Sequence, residues 1–311
     1  MRQRRTSTHV ERYEKMNFFS TSVNCDSDYE SLIYPINEDY QRCRDFVDFL
    51  WRDYSDFADK NFLTNAKTHF HQRFWEMYLS VTFLRKGYEV IKTPDESPDV
   101  CIKMNGKKLW IEAVAPGPGT GPDQIPIPEF GKANWVPTDL IALRYLNVFN
   151  EKHAKYKKYM QKGIVSCNDI FVIAINCNKV PHAYFGSTVP YHVQALLPIG
   201  PPNVIFNIEK DSIVETGYSF KDSVMKNSGS KVEKKAFTDP KYSGVSAVIN
   251  SGHEIAGYTM HKENLGFDFD FLHNPLAINP LGTDTIPWAK NRYVTDDQLF
   301  EIKPVEIDFR S

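Results

Sequence analysis

Two β-forming runs flank Asn105-Gly106, and no other stretch restricts the fold of this chain as much. Both residues tolerate φ above zero, and the tight turn they make matches the twist of the flanking strands. A two-residue turn there pairs Met104 with Lys107, Ile102 with Leu109 and Asp99 with Glu112. Cross-strand partners share one face of a hairpin, so two carboxylates are expected side by side, their β-carbons roughly 5 Å apart. Like charges so placed destabilise a sheet. A hard divalent cation is the most useful reason to keep them, because Mg2+ takes oxygen ligands and is often held by one or two carboxylates. An exposed hairpin with two solvated acids is the other reading of the same residues.

The 311 residues carry a net charge of −2 and are 41% apolar and 24% charged, the balance of a soluble globular chain. There is no global basic field, so contact with nucleic acid must come from a local patch. The five cysteines are odd in number and scattered, without a CxxC pair or a Cys/His cluster. That pattern suits buried thiols in a reducing compartment and argues against a disulfide frame or a zinc site. No apolar run is long enough to span a membrane, and no hydrophobic signal segment follows the basic Met1-Arg2-Gln3-Arg4-Arg5. The expectation is a cytoplasmic protein. Export by a dedicated apparatus would leave no such trace.

Residues 1–36 are polar and weakly periodic and read as an arm or loosely packed lead-in. Phe46, Phe49, Leu50, Tyr54 and Phe57 fall at helical spacing within 38–58. A second helix is predicted from Asn65 to Lys86, its stripe made by Phe70, Phe74, Met77, Tyr78, Val81 and Leu84 and its end marked by Gly87. Glu76 lies beside that stripe, where an exposed glutamate is the default. Tyr88–Ile91 reads as a strand, the hairpin follows, and the Gly/Pro-rich run from Ala115 to Pro122 must be a loop. Thr138 to Gly163 reads as a helix with a basic face of Lys152, Lys155, Lys157, Lys158 and Lys162. Ile170–Ile175 is continuously apolar, as in a strand buried on both faces. Later, β-like runs occur at Val204–Ile208, Tyr242–Asn250 and Ile255–Met260, and Ser223–Lys235 is polar. The expected organisation is an arm and amphipathic helix over 1–64, a core over 65–178 and a β-rich C-terminal elaboration over 179–311.

The order helix, strand, strand, strand, helix, strand over residues 65–178 resembles the PD-(D/E)XK nuclease superfamily, that of restriction endonucleases. The resemblance covers Phe70 to Asn176 and rests on Glu76 in the first helix, Pro98-Asp99 opening a strand and Glu112 on the next. It implies an α/β fold with a restriction-endonuclease-like αβββαβ core, a mixed central sheet and helices on both faces. It implies Mg2+ (or Mn2+) held by Asp99, Glu112 and the carbonyl of Ala113, with Glu76 in support. The activity implied is hydrolysis of nucleic-acid phosphodiesters, of DNA rather than RNA, and by a homodimer because a duplex has two strands. The family's third element is acid-x-Lys, and here it is Glu112-Ala113-Val114. The lysine position holds valine, and Lys92, Lys103, Lys108, Lys132 and Gln72 are the nearby polar replacements, none marked out by spacing. A catalytically degenerate member acting as a nucleic-acid-binding or protein-interaction module is the alternative. A third reading is another enzyme on the same fold, using His69 and His71 for acid–base work.

Overall fold

The computed structural model describes residues 17–21, 24–104, 106–183, 188–252, 262–296 and 298–304. Arg2, Arg4 and Arg5, the turn residue Asn105 and the strand expected at Ile255–Met260 lie outside the described residues. The chain forms an α/β structure of two compact units. One comprises Met1–Ala115 with His253–Phe267, the other Pro116–Gly252 with Asp268–Ser311. The boundary falls where the Gly/Pro-rich loop begins, inside the 65–178 stretch.

In the first unit, α1 (Ser27–Ile33), α2 (Glu38–Tyr54), α3 (Phe62–Ala66) and α4 (Phe70–Arg85) precede β1 (Glu89–Ile91), β2 (Val100–Met104) and β3 (Lys107–Val114). The lead-in is not loosely packed over its described part. Phe18, Phe19 and Tyr29 are buried, and the Phe18 ring lies 5.7 Å from Trp51 and 5.9 Å from Phe70. A few large rings outweigh the polar residues between them, because each removes so much apolar surface from water. Helix α2 begins at Asn37, whose side-chain oxygen accepts the Tyr40 N–H at 3.0 Å, and buries Phe46, Val47, Leu50 and Trp51. Asn37→Ala is expected to cost about 1 kcal/mol in urea unfolding, the usual loss of an N-cap acceptor.

Helix α4 starts at Phe70, not Asn65, because α3 is a separate turn and the chain breaks over Lys67–His69. It ends as expected: Gly87 takes φ +83°, and the Tyr88 N–H reaches the Phe83 carbonyl at 3.0 Å. Its burial is not a single stripe, since every residue from Phe74 to Phe83 is buried, Glu76 among them. Strands β1, β2 and β3 are antiparallel in order, with Ile102 opposite Leu109 and Met104 opposite Lys107. That is the register expected from a two-residue turn, and Gly106 takes φ +79°.

In the second unit, α5 (Thr138–Gln161) precedes β4 (Ile170–Asn176), a strand buried along its whole length. The helix starts at Thr138, with Pro137 at the N-cap. Lys152, expected on the exposed basic face, is buried, whereas Lys157, Lys158 and Lys162 are exposed. After α6 (Tyr191–Leu196) come the hairpin β5 (Ile199–Asn207)–β6 (Ser212–Phe220) and the small pair β7 (Ser223–Met225)–β8 (Lys231–Glu233). The polar stretch 223–235 thus holds two strands and ends beside Lys234, whose buried ammonium donates to the Ile199 carbonyl at 3.0 Å. Strands β9 (Ala247–Ser251), β10 (Asp270–His273), β11 (Lys290–Thr295) and β12 (Gln298–Ile302) complete a mixed sheet. There β4 pairs parallel with β9, β9 antiparallel with β10, β10 parallel with β11 and β11 antiparallel with β12.

His192 on α6 is wholly buried, its Nε2 3.8 Å from Asp270 Oδ1. Arg292 occupies that carboxylate, its Nε donating to both oxygens at 2.8 and 3.0 Å. Burial pushes the His192 pKa from 6.5 down to about 4; Asp270 opposes the shift, while Arg292 and Lys290 add to it. The unfolded chain therefore binds this proton more tightly, and native stability falls as pH drops from 6.5 towards 4. Between pH 7 and 5 the imidazole should account for about 2 kcal/mol of lost stability. Urea unfolding of His192→Phe at the two pH values should show a correspondingly smaller drop than the wild type.

Candidate functional site

The site lies within the first unit, where the N-terminal half of α4 meets the ends of β2 and β3. Val100 pairs with Ile111, so Asp99, one residue earlier, stands opposite Glu112. Asp99 is half-buried and its Oδ2 accepts the Ala113 N–H at 2.7 Å, which fixes the carboxylate against β3. Glu112 is only 1% exposed.

Glu76 is 4% exposed, contrary to the surface position expected for it. Both its oxygens are engaged: Oε1 accepts from Gln72 Nε2 at 2.9 Å and Oε2 from Arg73 Nη1 at 2.7 Å. Positions three and four apart on a helix share a face, so Gln72, Arg73 and Glu76 form one local set. Arg73 also reaches Asp59 Oδ2 at 3.2 Å, and its guanidinium carbon lies 5.2 Å from the Phe62 ring centre. Burial raises the pKa of the Glu76 carboxyl, opposed by the Arg73 charge and by the hydrogen bonds from Gln72 and Arg73. Tyr54 is pushed well above 10, first by burial and then by the charges of Glu76 and Asp99. Arg73 is raised although burial alone would lower it, because Glu76, Asp59 and Asp99 favour its charge. The helix acid and the hairpin acid therefore share one electrostatic neighbourhood around Arg73 and Tyr54.

Gln72 ties the helix to the strand. Its Nε2 donates to the Ala113 carbonyl at 3.3 Å, and its Oε1 accepts the Ala115 N–H at 2.8 Å. The lysines nearby are engaged elsewhere. Lys92 donates to the Asp56 carbonyl, Lys103 pairs with Glu89, Lys108 lies over the Trp110 ring, and Lys132 pairs with Glu129 in the second unit. Arg73 is a cation paired with an acid of this site, and no lysine spacing points to it. The signal for it was its place three residues before Glu76. His69 is exposed and contacts Thr68 Oγ1 at 3.0 Å, whereas His71 is buried.

The donors suit a hard cation in kind: two carboxylates across a hairpin and a main-chain carbonyl, all oxygen. They are few, and no group of three or more His, Cys, Asp or Glu poised to hold a metal occurs among the described residues. Glu76 does not add to the count, because Gln72 and Arg73 hold both its oxygens. No helix among the described residues is long and apolar enough to cross a membrane. Comparison of the chain with protein-family models, curated proteins and solved structures finds no match.

Proposed function

We propose that the chain is a Mg2+-dependent phosphodiesterase that cleaves nucleic acid, DNA rather than RNA, on a restriction-endonuclease-like core. The observation that carries the reading is the register that sets Asp99 opposite Glu112 beside the Glu76 helix. Asp99, Glu112 and the Ala113 carbonyl would hold the ion. When bound there, Mg2+ supplies charge neutralisation at the phosphoryl oxygens and lowers the pKa of water. The chain's own residues do the rest. The Ala113 N–H keeps Asp99 from turning away, and burial keeps Glu112 from solvent. Arg73, held by Glu76 and Asp59, contributes a fixed positive charge to a site whose motif-lysine position is taken by Val114. A cytoplasmic setting and a homodimer acting on the two strands of a duplex belong to the same proposal.

A second reading is favoured by one observation: Glu76 is already ion-paired with Arg73 and hydrogen-bonded by Gln72. A chain so arranged, and with valine in the lysine position, suits a non-catalytic member that binds nucleic acid or a protein partner. Incubating the purified chain with linear duplex DNA, with Mg2+ or with EDTA, separates the two. Cleavage only with Mg2+ supports the enzyme, and retention of intact DNA under both conditions supports the binding module.

A further inference from the structure

We infer that Gln72 is the positioning residue of this site, holding the Ala113 carbonyl and the Glu76 carboxylate at a fixed separation. The inference rests on the metal-dependent reading above and names a residue which that reading does not itself require. A primary amide offers two N–H donors on one side and an acceptor on the other. Gln72 uses both sides: Nε2 serves Glu76 Oε1 at 2.9 Å and the Ala113 carbonyl at 3.3 Å, and Oε1 takes the Ala115 N–H at 2.8 Å.

The contacts to Ala113 and Ala115 follow the pattern of a parallel strand, in which one residue donates to the carbonyl before its partner and accepts from the N–H after it. The partner skipped is Val114. The side chain of a helix residue thus acts like a strand at the end of β3, where the carbonyl of Ala113 must point in one direction to serve as a ligand. The same nitrogen fixes the near oxygen of Glu76, and Arg73 fixes the far one. No other side chain of similar size supplies this combination. Methionine fills the space without polar contacts, and asparagine has the amide but is one methylene too short to span helix and strand. Groups that orient a metal's ligands without touching the metal commonly change affinity 10–100-fold when replaced.

The test compares the full-length wild type with Gln72→Met and Gln72→Asn, using Mn2+ titration by calorimetry, steady-state DNA cleavage and thermal unfolding in EDTA. The expected result is a Mn2+ affinity roughly 10-fold to 100-fold weaker in both variants. Their kcat should fall by a similar factor, with KM for DNA unchanged. A merely structural role would lower unfolding temperature without this split between kcat and KM. If Gln72→Met does not fold, Gln72→Asn carries the same readouts on a polar side chain. Wild-type affinity and kcat in either folded variant would overturn the role of Gln72 and leave the metal-dependent reading standing. Absence of Mn2+ binding and cleavage in the wild type would overturn that reading, and the inference with it.

Discussion

Asp99→Asn and Glu112→Gln should each lower Mg2+-dependent DNA cleavage at least about 100-fold, a loss of roughly 2.7 kcal/mol of transition-state stabilisation. Both changes preserve shape. Asparagine retains an oxygen to accept the Ala113 N–H that Asp99 now takes at 2.7 Å. Glutamine fills the same buried space as Glu112, which is 1% exposed. What each variant loses is one negative charge of a facing pair. That repulsion weakens a hairpin when nothing sits between the charges, by something on the order of 0.5 kcal/mol. Asp99→Asn also loses its attraction for the Arg73 charge, so in EDTA both variants should unfold close to the wild-type temperature while activity disappears. Falling activity together with falling stability would point to a damaged fold. Equal cleavage by the wild type and both variants would remove the assignment of these residues.

Phe70→Ala should destabilise the first unit by about 3–5 kcal/mol in urea unfolding, the usual cost of emptying a fully buried aromatic site. Phe70 is wholly buried, its ring 5.9 Å from Phe18, 6.0 Å from Phe19, 5.6 Å from Tyr29 and 6.4 Å from Phe74. It is the joint between the lead-in and the helix that carries Gln72, Arg73 and Glu76. Natural domains have only about 5–15 kcal/mol to lose, so the change should bring the unit close to unfolding. A loss below about 1 kcal/mol would mean that Phe18, Phe19 and Tyr29 do not pack on α4, since an exposed site leaves no such cavity.

The hairpin was readable because two local signals agree: a turn dipeptide that fixes register, and runs of β-formers on either side. The strand at Ile170–Asn176 was readable because nothing polar interrupts it. The depth at which Glu76 lies was hidden by its partners. Gln72, Arg73 and Glu76 break the apolar pattern of α4, but the half-buried Gln72 and Arg73 satisfy both oxygens of Glu76 and so let it be buried. The last strands were hidden for the same reason. Asp270 and Arg292 pair across β10 and β11, and His273 meets Asn291 at 2.8 Å, so buried positions there carry polar letters. The packing of the lead-in does not show in the sequence because α1 has only seven residues, too few for a period to show, and its buried anchors are single aromatic rings.

The central claim is that Asp99, Glu112 and the Ala113 carbonyl grip one divalent ion. A crystal soaked in Mn2+ and measured at a wavelength where manganese scatters anomalously tests it most directly. The account predicts a peak bonded to an oxygen of each of the three residues, at about the 2.1 Å typical of a small hard cation. A well-ordered site with no peak, or a peak bonded to neither carboxylate, would contradict it.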